Sequence, residues 1–239
     1  MANVYVYAVA AADHPLSLEG ATGVGAEPAP LRVVTAGPVS AVVSDAPADL
    51  RAKRRDLDAH QKVLEALGGQ GTVLPMRFGS LAENDDAVRE QLERRGEEYA
   101  ERLRALEGKV EFNVRADQDE DTVLRLVLDS NEEVRRLSRS GVGATGTLDQ
   151  RIALGEAVAA DVQARQEETG GRIAYALSAI AVQTSRTQAA GETFLNISFL
   201  VERTRAKEFA EQTQRLADQY RDEGVRLRLY GPLPPYSFV

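Results

Sequence analysis

The sequence has no cysteine, no tryptophan, and only two histidines and two methionines among 239 residues. Without thiols there are no disulfides, thiolate metal sites, iron–sulfur clusters or cysteine nucleophiles. Excess positive charge is also missing. Lysine and arginine number 29 against 37 acidic residues, giving a net charge of −8 and a pI near 5.0. Such a chain lacks the basic footprint that phosphate neutralisation needs, so nucleic acid is not an expected partner. Long apolar runs are absent too. The longest, Ile173 to Val182, falls well short of the ~20 residues that cross a bilayer, so no membrane contact is expected. The apolar start, Met1 to Ala12, has no basic region and alternates with tyrosine, which marks a strand rather than a signal peptide. A cytoplasmic location is expected.

What is present is 43% hydrophobic and 28% charged residues, the balance of a globular chain with a real core. The length suits one large domain or two small ones. Val4–Val9 reads as a strand, and Leu31–Thr35 and Val39–Ser44 as a hairpin around Ala36-Gly-Pro38. Pro47 and Asp49 open a helix expected to stop at Gly68-Gly69. Thr72–Phe78 is extended, and Pro75 confines it to a sheet edge. A second helix, Asn84–Leu106, keeps Val88, Leu92, Tyr99, Leu103 and Leu106 on one face.

Beyond Gly108 the pattern changes. Lys109–Arg115 alternates without a fault and is a half-buried strand. A short acidic helix over Asp117–Ser138, a glycine-containing break at 141–146 and a long helix from Leu148 to Ala179 follow. Then come strands Ala181–Thr187 and Thr193–Glu202, joined by a loop at Ala190-Gly191, a helix over Arg205–Asp222 stopped by Gly224, and a closing strand Val225–Tyr230. Setting the acidic helix aside, the order is β-α-β-β-α-β, a ferredoxin-like plait. The fold class is therefore α+β with two domains, 1–107 and 108–239, the second carrying an extended proline- and aromatic-bearing tail at about 231–239. The alternation also gives the second sheet one helix-covered face and one polar face bearing Glu111, Asn113, Arg115, Asn196, Ser198, Arg226, Arg228 and Tyr230.

Catalytic chemistry finds little support. His60 is the one candidate general base, but it shares helical spacing with Leu57, Leu64 and Leu67, which suits a packed histidine. His14 precedes Pro15 in a turn and is expected to be solvated. Asp117-Gln-Asp-Glu-Asp121 starts like an EF-hand but has Thr122 and Leu128 where a glycine and a glutamate are required; acids at a helix start explain it better. Gly20–Ala26 and Gly141–Gly146 resemble phosphate cradles, yet neither has the strand–loop–helix setting or a Gly-Lys-Ser/Thr ending. No catalytic residue, cofactor or metal is assigned.

Six segments, taken in order along the chain, resemble the gas vesicle protein F/L family: the opening Val4-Tyr-Val-Tyr-Ala-Val9, Gly37-Pro-Val-Ser-Ala-Val-Val-Ser44, Val73-Leu-Pro-Met-Arg-Phe-Gly79 after a helix holding His60, Gly108-Lys-Val-Glu-Phe112, Asn196-Ile-Ser-Phe-Leu-Val201 and the tail Gly231-Pro-Leu-Pro-Pro-Tyr-Ser-Phe-Val239. One departure is visible: Leu233 stands where the family's tail usually has tryptophan. The resemblance implies a non-enzymatic accessory protein of gas vesicle formation, associated with the vesicle. Its implied partners are the small hydrophobic shell subunit and other accessory proteins. The segment around Leu74, Met76 and Phe78 and the tail residues Tyr230, Leu233, Tyr236 and Phe238 are the candidate contact residues. The alternative function is a ferredoxin-like module that binds a small regulatory molecule.

Overall fold

The structure, a computed structural model, describes residues 3–139, 146–188 and 191–239. The glycine-containing break at 141–145 and Ala190 lie outside the described residues. By internal contacts the chain forms two compact units. One is Met1–Glu111 with Pro232–Val239, and the other is Phe112–Gly231. The tail that sequence order leaves on the second domain is thus counted with the first unit.

In the first unit, β1 (Val4–Ala11) pairs antiparallel with β3 (Val39–Asp45), which pairs with β2 (Arg32–Ala36). The other side of β1 takes β4 (Val73–Pro75) and β5 (Leu81–Ala82). Pro75 sits in the edge strand β4, where a missing N–H costs no ladder bond. Register slips by one residue between Val6 and Ala8, so Tyr7 is the extra residue of a bulge. The bulge resets the alternation and lets Tyr5, Tyr7, Ala8 and Ala10 share one core cluster with Val63, Leu64 and Leu67 of helix α1 (Arg54–Gln70). Helix α2 (Asp85–Leu106) starts on Asn84, whose side chain accepts from the Ala87 N–H. It buries the five expected residues together with Gly96, where a Cβ would lie 3.3 Å from the Pro38 ring.

Two expectations about α1 are corrected. It begins at Arg54, not at Pro47, and it runs through Gly68-Gly69 to Gln70. Its last turn is clamped by a distant loop: the Gln70 amide accepts from the Ser17 N–H at 2.7 Å and donates to the Ser17 and Ala66 carbonyls. That clamp outweighs the ~1 kcal/mol each glycine costs in a helix.

The second unit has a four-stranded sheet in the order β7 (Gln183–Arg186), β8 (Thr193–Glu202), β6 (Lys109–Gln118), β9 (Val225–Leu233). The region Asp117–Ser138 is not one helix. Asp117 and Gln118 finish β6, and two helices follow, α3 (Glu120–Ser130) and α4 (Glu132–Arg139). Asn131 breaks them apart: it closes α3 with its N–H to the Val127 carbonyl and caps α4 with its side chain. Helix α5 (Leu148–Ser178) opens with a capping box between Thr147 and Gln150. Helix α6 is shorter than expected, Ala206–Gln219, because single 3-10 turns form at both flanks. Gly224 ends that segment at φ 74°, and a Cβ there would lie 2.8 Å from the Thr122 Cβ. Phe112, Phe199 and Phe209 form the centre of the core, with ring centroids 5.0 and 5.3 Å apart.

Candidate functional site

The candidate contact residues of the first unit gather around the turn between β4 and β5. This turn is held at four points. The Met76 N–H donates to the Tyr7 carbonyl, and the His60 Nε2 donates to the Met76 carbonyl at 3.1 Å. The Gly79 N–H donates to the Tyr5 hydroxyl oxygen at 3.1 Å, and the Val6 N–H donates to the Ser80 carbonyl. Gly79 adopts φ 85°, a conformation that glycine takes without strain. Between these anchors Met76 and Phe78 are half-buried and Arg77 is exposed. Phe78 packs edge-on against both Tyr5 and His60. Leu74 is fully buried in β4, so it supports this turn from within and offers no surface to a partner.

His60 is the hub. Its Nε2 faces a carbonyl, so that nitrogen carries the hydrogen and Nδ1 accepts from the Tyr5 hydroxyl at 2.9 Å. The ring stacks on Tyr7, whose hydroxyl accepts from the Val24 N–H and bonds Ser44. Burial holds the His60 pKa below its ordinary value and pushes Tyr5 up to about 12. With both ring nitrogens committed to protein groups, His60 is a packed, hydrogen-bonded histidine, as its helical spacing suggests.

The same network ties down the glycine-rich loop at 20–26. Gly23 donates its N–H to the Ala29 carbonyl, Val24 to Tyr7, and Gly25 to the buried Asp56 carboxylate. A phosphate cradle needs such groups pointing outward, so this segment is a strap on the core. His14 is also not solvated as expected. It is half-buried, its Nδ1 accepts from the Leu16 N–H, and its Nε2 lies against Gly71. The acidic run at 117–121 divides its work. Asp117 pairs with Arg228 and accepts from Thr193, while Asp119 caps α3.

The tail closes the first unit. Pro234 lies against Gly68, and Pro235 is buried. Tyr236 packs on the core cluster, and its hydroxyl donates to Gln61 at 3.2 Å. Burial raises the Tyr236 pKa well above the usual phenol value. Ser237 donates through its N–H and hydroxyl, at 2.8 and 2.7 Å, to the two oxygens of the buried Glu111 carboxylate. Leu233 and Phe238 are half-buried in this segment. Tyr230 stands apart, on the second unit, where its ring lies under the Arg115 guanidinium at 5.2 Å. Arg115 in turn donates to Asn113, which donates to Asn196 and Ser198, so the polar strand face is a connected hydrogen-bond lattice. Sequence reasoning puts Glu111 on the polar strand face and does not single out Gln61. Their partners lie 126 and 175 positions away, and no local pattern signals such a pairing.

Comparison with known proteins adds the following. A family model described as gas vesicle synthesis protein GvpL/GvpF matches residues 3–239. Gas vesicle protein F of Streptomyces sp. (strain CB03234) is 48% identical, covering 99% of each chain. Gas vesicle protein L of the same strain is 31% identical over 98% of this chain and 92% of its own. The crystal structure of gas vesicle protein GvpF from Anabaena sp. PCC7120 superposes with a TM-score of 0.83 at 23% identity, covering 100% of this chain and 98% of that one. At that identity the match establishes a shared mixed helix-and-sheet fold.

Proposed function

The chain belongs to the gas vesicle synthesis protein GvpL/GvpF family, and from that premise we propose that it is a non-enzymatic assembly factor of the gas vesicle. It binds the small hydrophobic shell subunit, and other accessory proteins, in the cytoplasm and accompanies the growing vesicle. The observation that carries this reading is the family match along residues 3–239. The higher identity to an F protein than to the L protein of the same strain favours an F-type role. The physical logic is that a subunit destined to line a gas space exposes apolar surface before it assembles, and such surface aggregates. An acidic carrier covers that surface and keeps the complex dispersed by its charge of −8. No helix among the described residues is long and apolar enough to cross a membrane, in keeping with such a carrier.

The contact surface we assign is the half-buried apolar set on the first unit, Met76 and Phe78 in the β4–β5 turn and Leu233, Tyr236 and Phe238 in the tail, with Tyr230 as a separate contact on the second. Leu74 underlies it. The first unit acts as an α+β domain, and the second as a ferredoxin-like plait, a reading supported by the strand order β7-β8-β6-β9. The test is co-expression with the shell subunit, pull-down and a solubility assay. Co-purification with more shell protein in solution is expected, and Met76→Ser should reduce it while leaving the circular dichroism unchanged. A folded protein that retains no shell subunit would sink the direct-carrier reading.

A further inference from the structure

Helix α5 carries an apolar line on which the sheet uses only one end. In its last three turns Thr169, Gly170, Ile173, Ala174 and Leu177 are buried, with Gly170 close against Phe194 and Leu195 of β8. Reading backwards along the same face at alternating steps of three and four, the line passes the half-buried Gln166 and then runs through Val162, Ala159, Gly155, Ile152 and Leu148. Val162 is half-buried, and beyond it the line faces water. Leu148 is 65% and Ile152 49% exposed, Gly155 and Ala159 are exposed, and nothing lies within 4 Å of where a Gly155 Cβ would stand. This half of the helix packs on α3 and α4 through a different side, where Leu154, Val158, Asp161 and Arg165 are half-buried. The stretch from Leu148 to Ala159, with the half-buried Val162 at its end, is therefore a short coiled-coil seam that Gln166 separates from the buried packing face and that is left unpaired.

We propose that this seam pairs with the same seam of a second copy of the chain, the two α5 helices running parallel and in register. The flanking charges select this occupant and this direction. With Leu148, Gly155 and Val162 at one core position and Ile152 and Ala159 at the other, Arg151 and Glu156 fall at the two flanks that meet across a parallel pair. Both are exposed, and neither has an ion-pair partner among the described residues. Two-fold symmetry makes the Arg151–Glu156 bridge twice. An antiparallel pair would instead set Glu156 against Glu156 of the second copy. The small residues Gly155 and Ala159 let the backbones approach closely between the bulkier Leu148 and Ile152. A seam this short gives a weak, concentration-dependent dimer, with a dissociation constant of about 10–100 µM.

The absence of native cysteine makes the full-length chain a clean background for testing this. Leu148→Cys, Gly155→Cys and Val162→Cys variants should each cross-link to themselves under mild oxidation. Crosslinking of Gly155→Cys alone would mean an antiparallel pair and overturn the proposal. In sedimentation, Ile152→Lys should weaken association at least about tenfold with unchanged circular dichroism, and Arg151→Glu should weaken it by about threefold. Combining Arg151→Glu with Glu156→Arg should restore it. A mass of 25.9 kDa at every concentration up to about 500 µM, or a dimer indifferent to Ile152→Lys, would overturn it as well. None of these readouts involves the shell subunit, so they stand or fall apart from the carrier role.

Discussion

The first unit has a titratable hydrogen-bond lattice at its centre, with His60 bonded to Tyr5 and Met76, Tyr7 to Ser44 and Val24, and Asp56 to Gly25. The second unit closes on three phenylalanine rings and keeps its polar lattice on the strand surface. Directional bonds fix the position of a turn, whereas apolar area gives cohesion without fixing any single group. The unit whose turn we assign to partner contact is the one whose interior spends polar groups to hold that turn in place.

The largest expected effect tests the apolar side of this contrast. Phe209→Ala removes the ring shared by Phe112 and Phe199 and should cost about 3–5 kcal/mol. Hydrogen exchange on the full chain should show the second unit's amides deprotected first; equal deprotection of both units would mean that the units do not unfold separately. Next, His60→Ala removes two buried hydrogen bonds and three ring contacts and should cost about 2–4 kcal/mol. Its exchange signature should appear in the Met76–Ser80 turn. If that turn stays protected, it is held by β1 alone.

Acidification should give a smaller and one-sided effect. Both histidines belong to the first unit, and burial lowers both pKa values in the folded state. As pH falls through the unfolded value of about 6.5, the unfolded chain binds protons before the folded one does, so stability is full above that pH and lost below it. Between about pH 7.5 and 5.5 the first unit should lose stability and the second unit, which holds no histidine, should lose less, read by hydrogen exchange at both pH values. His60→Gln should remove much of that slope. The smallest effect is a gain: Gly155→Ala, in open space on α5, should stabilise the second unit by about 0.5–1 kcal/mol in thermal unfolding.

Much of the fold is legible where local periodicity decides it. The alternation of β6 and β8 and the apolar stripe of α2 appear in the structure at nearly the expected bounds. Sequence reading falters where a distant side chain overrides local preference. The glycine pair ends α1 on propensity grounds, but Gln70 reaches Ser17 and carries the helix past it. Asn131 looks like any polar residue within an acidic helix, yet its side chain starts a new one. The candidate turn is legible as part of the extended segment Thr72–Phe78, but its anchors are not, because His60, Tyr5 and Tyr7 meet only across the sheet and the bulge at Tyr7 breaks the strand's alternation. Leu74 reads as a contact residue only until β4 is seen to bury it.

The placement of Tyr236 and Ser237 has a consequence for biosynthesis. The carboxylate of Glu111 and the surface of α1 beside Gln61 are made early, yet the segment that covers them is translated only after the whole of the second unit. At ~5–20 residues per second, the nascent first unit spends several seconds or more with that surface uncovered. A ribosome that stalls within the second unit would therefore release a chain whose first unit has that surface uncovered, recognisable to chaperones and proteases.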